Sequence, residues 1–446
     1  MIEQKDLLKV LDELELLESK LLSWGDTGAY FTYDELKKII SRCLPHLDVE
    51  DVEDELRRTV MVVPVTDARD REIGVRSRMA EAMYLFRSLR QWMNGDNLSK
   101  SRTLVSDYRF VRRPRMYPRR DLEVSNLIDN WTTKISLDKS TINHIRHLVG
   151  EYRLSGFQSR ATELILERWK KHSRKFKDSS GTIISAGTGS GKTLAFYLPA
   201  LSSLASDISK NTTKSSVRIL AIYPRKELLK DQFNETWMNA RKLDNVQSDI
   251  GGRKIKIGAF FGDTPTSNRY ALKGKSQYLN YNILQCQDSN CRGEMRWSKK
   301  NIDAGRERLE CHLCGHAVSD DEVGLTRQSL AINPPDILFT TIEMLNQRMS
   351  DPRHRHLFGV GVSDPVSLVL LDEVHTYSGS TGAQTSLLLK RWMKLSGNRP
   401  HYVGLSATLR DAANFFSTLT GTKQSCLLYT SPSPRDLSTS RMPSSA

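Results

Sequence analysis

The sequence predicts an α/β fold on a parallel sheet, with a cysteine-rich insert inside it and a mainly helical domain ahead of it. Three observations predict this. From residue 150 onward short apolar runs alternate with helical segments: TIISA, VRILAIYP, IKIGAFFG, DILFTT, SLVLLDE and HYVGLSAT. Buried strands separated by crossover helices are the pattern of a parallel sheet. Between the third and fourth runs fall Cys286, Cys291, Cys311 and Cys314. Residues 1–98, finally, read as helices followed by a hairpin.

In that first domain, Leu7, Leu8, Leu11, Leu14, Leu17 and Leu21 recur at helical spacing. Thr32 with Glu35 three residues later forms a capping-box pattern, and Asp48 is placed to cap DVEDVEDELRRT. The run VMVVPVTDARDREIGVRSRM reads as two strands about a polar turn. Helix, helix and hairpin fit either a winged helix or a small helical packing domain.

Residues 99–149 read as a basic linker. Its first part, SKSRTLVSDYRFVRRPRMYPRR, sets eight Lys/Arg against one acid, with Tyr108, Phe110 and Tyr117 among them. Guanidinium groups neutralise phosphates and aromatic faces stack on bases, so the stretch suits nucleic acid; a solvated connector is the bland alternative. The whole chain carries a net charge of +14, unevenly spread: residues 1–60 hold 8 Lys/Arg against 15 Asp/Glu, leaving 58 against 37 elsewhere. A basic body suits a polyanionic partner. No apolar run approaches the ~18 residues of a membrane span. The acidic start, MIEQKDLLKVLDELELL, lacks the basic opening of a secretion signal. No membrane association and a cytoplasmic location are the expectations.

Two motifs carry chemistry. In TIISAGTGSGKT a strand ends at Ala186, and Lys192 and Thr193 open a helix. Between them Gly187, Thr188, Gly189, Ser190 and Gly191 form a loop whose backbone N–H groups wrap phosphates at a helix N-terminus. Lys192 is placed to reach the β- and γ-phosphates and Thr193 to help hold Mg²⁺. In SLVLLDEVHTYSG a buried strand ends at Asp372 and Glu373. A carboxylate at Asp372 holds Mg²⁺, and Glu373 polarises the attacking water. His375 is placed to couple this pair to the rest of the domain. ATP and Mg²⁺ are therefore the expected cofactors.

AGTGSGKT, DEVH and SAT, in that order, resemble the signature of superfamily 2 helicases of the DEAD/DEAH-box type, over residues 150–420. The resemblance implies a RecA-like lobe at 150–425 within an ATP-dependent nucleic-acid helicase or translocase. It assigns Gln158, in YRLSGFQSR, to reading the adenine edge. YPRKELLKDQ resembles motif Ia, while FFGDTPTSNR and ILFTTIEMLNQRM resemble the later strand-gripping motifs. Ser406, Ala407 and Thr408 in LSATL match the motif that couples hydrolysis to strand movement. The acidic domain, the basic linker and DEVHTYSGSTGAQ resemble helicases of bacterial phage-defence and DNA-modification clusters, the DpdJ type, which implies protein partners of such a system. The winged-helix reading favours DNA over RNA. An ATP-gated clamp or scaffold that binds strands without unwinding them is the alternative.

The cysteines lie in an insert at 270–325, as C-x₄-C, nineteen residues, then C-x₂-C. Paired knuckles of thiolates suit structural Zn²⁺, with an iron–sulfur cluster as the competitor and His312 and His316 as spare ligands. Residues 426–446, written back into codons, fit a transposon end and the adapter of DNA sequencing libraries, a Ser/Pro-rich disordered tail being the alternative. On that reading native sequence ends near Ser425, the motor is cut after SAT with its second lobe missing, and this chain alone turns over little ATP.

Overall fold

A computed structural model describes residues 4–91, 101–105, 108, 110, 119–172, 178–186, 190–210, 215–272, 276–288, 290–291, 293–364, 366–406, 409, 411–422 and 425–429. The chain divides into two compact units, Met1–Arg115 and Met116–Ala446.

The first unit holds helices Gln4–Ser23, Tyr33–Cys43 and Val49–Arg58, then the antiparallel hairpin Val62–Thr66 with Glu72–Ser77. Leu7, Leu11, Leu14, Leu36, Ile40 and Leu56 fill its core. The Thr32–Glu35 capping box is formed, and Asp48 accepts from the backbones of Glu50 and Asp51. Phe31 and Val75 exchange two backbone hydrogen bonds of 2.8 Å, adding a short third strand to the hairpin. Helix, short strand, two helices and a hairpin thus follow in that order. The third helix carries Glu50, Asp51, Glu53, Asp54 and Glu55 against Arg57 and Arg58. Glu18, buried on the first helix, accepts from the backbone N–H of Ser77 at 2.8 Å and from its hydroxyl. Ser77 in turn caps the helix Arg78–Ser88.

The second unit is built on an eight-stranded, wholly parallel sheet. Its strands are β1 (Ser180–Ser185), β2 (Ile219–Ile222), β3 (Ile257–Phe260), β4 (Val323–Gly324), β5 (Ile337–Thr340), β6 (Leu368–Leu371), β7 (His401–Ser406) and β8 (Ser425–Tyr429). They lie in the order β4-β3-β5-β2-β6-β7-β1-β8. The unbroken apolar runs of β2, β3, β5 and β6 are buried at every residue, as a sheet covered on both faces demands. Helices Val124–Ile135 and Lys139–Val149 fall in the stretch whose charge reads as linker. They bury Ile128, Trp131, Ile145 and Leu148 in the same core as the sheet.

Between β3 and β4 the chain makes a separate antiparallel sheet from Tyr278–Gln285, Glu294–Ser298, Leu309–Cys311 and Ala317–Val318. Glu307 fastens it to the lobe. Its buried carboxylate accepts from the Leu325 N–H and from the Thr326 and Ser329 hydroxyls, each at 2.7 Å. The adapter-like reading of 426–446 lies outside the described residues except for the part within β8, which pairs with β1. Among the described residues no helix is long and apolar enough to cross a membrane.

Candidate nucleotide site, strand groove and metal centre

β6, β7 and β1 are neighbours in the sheet, so the segments leaving their C-terminal ends meet: the acidic pair, the SAT motif and the glycine-rich loop. Gly187, Thr188 and Gly189 lie outside the described residues, as do Ala407 and Thr408. Ser190 is buried, and Gly191 adopts φ +86° just before the helix Lys192–Lys210. A Cβ at Gly191 would stand 2.6 Å from the Gln158 amide nitrogen, so backbone and neighbour both require glycine there.

Gln158 is fully buried. Its Nε2 donates to the Gly191 carbonyl at 3.0 Å, and its Oε1 accepts from the Ser155 N–H and hydroxyl, each at 2.9 Å. It therefore holds the end of the loop. Lys192 Nζ donates to the Ser406 carbonyl at 3.2 Å, and the Ala186 N–H donates to the same oxygen at 3.1 Å. Thr193 is half-buried at the start of the helix.

Asp372 follows β6 and faces this lysine. Burial pushes its carboxyl up to about 6, against the pull of the Glu373 N–H, Lys192 and His375. The Glu373 N–H donates to Asp372 Oδ1 at 2.8 Å. Glu373 itself sits in the left-handed region at φ 47°, ψ 49°, uncommon for a side-chain-bearing residue. Its carboxylate lies 3.2 Å from His375 Nδ1, which lies 3.5 Å from the Ser406 hydroxyl. The acidic pair, His375, Ser406 and Lys192 are thus brought together in one chain of contacts.

Sequence reasoning missed two residues beside the loop. Arg120 reaches to 3.7 Å from the space a Gly191 Cβ would occupy, and its guanidinium stacks 5.1 Å over the Tyr152 ring. Arg120 belongs to the basic tract, but its strand Arg120–Leu122 pairs with Leu154–Ser155, which carries it to the nucleotide site. Only that pairing, distant in sequence, could have revealed it.

The ends of β2, β3 and β5 form a cleft of about 1050 Å³. It is lined by Arg225 and Lys226 of YPRKELLKDQ, Gly262 and Asp263 of FFGDTPTSNR, and Thr341 and Glu343 of ILFTTIEMLNQRM. Lys226 pairs with Asp263 at 3.3 Å, and Thr341 caps the helix Ile342–Arg348.

In the insert all four cysteine sulfurs lie within 4.8 Å of one another. Cys286 and Cys314 are 3.4 Å apart, Cys291 and Cys311 3.6 Å. One tetrahedral ion with metal–sulfur bonds of ~2.3 Å separates its thiolates by about 3.8 Å, so the residues fit such an ion. Burial raises the Cys311 thiol, but backbone N–H groups of Cys314 and Leu313 outweigh it and hold it at about 6, while burial pushes the neighbouring Cys286 thiol up to about 12: four crowded sulfurs resist carrying charge together. A Cβ at Gly293 would strike the Cys311 sulfur at 2.3 Å, so glycine permits the cluster. His312 is engaged elsewhere: its Nδ1 accepts from the Glu294 N–H at 3.0 Å. The four thiols alone form the group among the described residues.

Residues 157–285 match the family model described as DEAD/DEAH box helicase. Over 296 residues the chain is 27% identical to the Druantia protein DruE of Escherichia coli (strain UMEA 4076-1), covering 55% of this chain and 16% of that protein. Over 250 residues it is 28% identical to the Lhr helicase/uracil glycosylase of Escherichia coli K12, covering 54% of this chain and 12% of that protein. Among solved structures it aligns with the DUF1998 helicase MrfA bound to DNA at 20% identity and a TM-score of 0.40, over 66% of this chain and 30% of that one. This chain thus spans a small part of either curated relative's length. Its motifs, its parallel sheet and the family match agree in a likeness to the DEAD/DEAH-box helicase domain, the match lying over residues 157–285.

Proposed function

We propose that this lobe binds ATP and Mg²⁺ between Lys192 and the Asp372–Glu373 pair and couples hydrolysis to movement along a nucleic-acid strand. The observation that supports it most is the contact chain Glu373–His375–Ser406–Lys192, which links the acid at the reaction centre to the loop that holds phosphate. Lys192 exchanges the Ser406 carbonyl for phosphate oxygens. Asp372, with Thr193, holds Mg²⁺, which supplies charge neutralisation at the phosphates when bound. Glu373 orients water and accepts its proton. His375 passes the change at Glu373 to Ser406 and so to the SAT segment. Gln158 fixes the loop, and Arg120 with Tyr152 offers a cation and a ring beside it for the base.

The strand runs over the cleft at Arg225, Lys226 and Thr341. DNA is the substrate of choice in this reading, on the resemblance to helicases of DNA-modification clusters. The acidic third helix of the first unit gives it no phosphate-neutralising role, which suits a protein partner of a defence or DNA-modification system instead. The cysteines hold Zn²⁺ for folding: the inorganic core of an iron–sulfur cluster would spread the thiolates further than one ion does. The protein works in the cytoplasm.

A fluorescent ATP analogue tests the nucleotide site. Binding is expected to need Mg²⁺, and Lys192→Ala should weaken it at least tenfold; failure of the unaltered chain to bind ATP refutes the reading. In a chain spanning the relatives' full length, Lys192→Ala should abolish strand-stimulated turnover and forked-duplex unwinding. Strand binding without any turnover in the unaltered full-length protein would make it a clamp. Competition between DNA and RNA strands of equal sequence decides the substrate.

A further inference from the structure

We infer that the cysteine-pinned insert carries a second strand-binding tract, continuous with the motor groove, that takes single-stranded nucleic acid beyond the nucleotides the groove holds. The inference rests on the strand-binding reading above and deepens it.

Three clefts join. The motor groove shares Phe261, Gly262 and Asp263 with a second cleft of about 720 Å³. That cleft shares Tyr270, Leu272 and Ser276 with a third, of about 1160 Å³, which lies against the insert. The three clefts therefore adjoin one another from the ends of β2 and β5 to the antiparallel sheet.

The chemistry along this path is that of a strand track: rings for bases and cations for phosphates. Tyr270 stands at the junction of the second and third clefts with 72% of its surface exposed. A single exposed tyrosine is ordinary. This one is flanked by Arg269, Lys299 and Arg306, all exposed, lining the same cleft and without an ion pair among the described residues. Neighbouring cations are engaged: Arg308 pairs with Glu310 at 3.0 Å, and Arg296 covers the Tyr278 ring at 4.3 Å. Of the carboxylates lining the third cleft, Glu307 is spent on Leu325, Thr326 and Ser329, leaving Asp303 and Asp320. The same Glu307 contacts fix the tract to the lobe, so a strand leaving the groove meets a preformed surface. Continuity with the groove favours a strand over an acidic peptide, which has no use for the first cleft.

The test is fluorescence anisotropy on the whole chain with labelled oligothymidylate and oligouridylate of about 6 and about 16 nucleotides, spanning the usual single-strand site sizes. Tyr270→Ala should weaken binding of the long strand about tenfold and of the short one less than about twofold, and Tyr270→Phe should restore it. Lys299→Ala with Arg306→Ala should do the same and reduce the salt slope for the long strand by about 1.4, two phosphate contacts' worth. Metal content and melting temperature should not move, and Arg269→Ala gives an independent variant if either does. Variants that leave the long strand unaffected, or weaken both lengths equally, overturn the tract. So does an unaltered chain that gains no more from the longer strand than its added registers provide, while the motor reading survives. So does polyglutamate displacing the long strand at equal charge. An unaltered chain that binds neither length fails on strand binding altogether, and both readings fall together.

Discussion

Glu373 shows how a single residue serves both backbone and chemistry. Its left-handed conformation costs a side-chain-bearing residue about 1–2 kcal/mol. The Asp372 carboxylate grips its N–H, and its carbonyl accepts from the Thr376 N–H at 2.8 Å and hydroxyl at 2.7 Å. The bend aims its carboxylate at His375. Glu373→Gly should therefore raise stability by about 1 kcal/mol while abolishing turnover. Glu373→Gln should abolish turnover, read like that of Glu373→Gly in a chain spanning the relatives' full length, with the melting temperature unchanged. Equal melting temperatures for the two variants would show that the backbone there is unstrained. Gly191→Ala should fail in the opposite way. With φ +86° and the Gln158 amide in the way, it should cost about 1–3 kcal/mol and remove ATP binding, read by calorimetry and nucleotide titration. The side chains at both positions are legible in sequence because loop and acidic pair are local motifs. The Gln158–Gly191 contact is not, since it joins residues that only the folded sheet brings together; nor is the bend at Glu373, a local conformation that its residue type does not favour.

At the scale of elements, the helix Lys139–Val149 is docked on the loop helix through Asp138. This carboxylate caps its own helix, accepting from the Thr141 N–H at 2.7 Å, and also accepts from Ser206 at 3.1 Å and from Lys210. Burial raises its carboxyl, but the bonds from Lys210 and Thr141 prevail and hold it at about 2. His144 on the same helix is wholly buried, and burial depresses it to about 4, with neither ring nitrogen bonded among the described residues. Both shifts have one sign. The His144 contribution is complete above its ordinary 6.5 and is lost as pH falls toward 4; that of Asp138 is lost from 3.8 toward 2. Unfolding should therefore take up about a quarter of a proton at His144 at pH 7, rising to nearly one at pH 5. His144→Leu should flatten the fall in melting temperature over that range; an unchanged slope would place the titrating group elsewhere. Asp138→Ala should cost about 1–2 kcal/mol at pH 7, as the loss of a cap. The eight cations of 99–120 mask this packing, although over 121–149 charge is near balance and Ile128, Trp131, Ile145 and Leu148 already stand at helical spacing. Trp131 and Ile145 show their purpose only once the sheet exists to receive them, whereas β2, β5 and β6 are legible as unbroken apolar runs.

Across the whole second unit, the order of strands separates the two ligand sites. The insert leaves from β3 and returns through β4 at one edge, while the loop at Lys192 follows β1 near the other, with the cleft at Arg225 and Thr341 between. The cysteine spacing was legible because metal ligation reads directly as sequence intervals. The Glu307 latch, which joins the insert to Thr326, was not. A structural ion contributes its binding energy to folding locally, and the latch is the route by which its loss is felt in the lobe. Elemental analysis should find one zinc per chain, without iron or acid-labile sulfide. Stripping it with a strong chelator should raise amide exchange over 286–316 and at Leu325–Ser329, while β1 and β6 stay protected. ATP-analogue binding should persist and long-strand binding should fall, because the tract stands on the insert and the phosphate loop does not. Cys311→Ser should reproduce the stripped protein, and Lys192→Ala should leave the metal in place. Loss of ATP binding on metal removal would mean that the eight-stranded sheet transmits the insert's unfolding from edge to edge, and the independence of the two sites would be wrong.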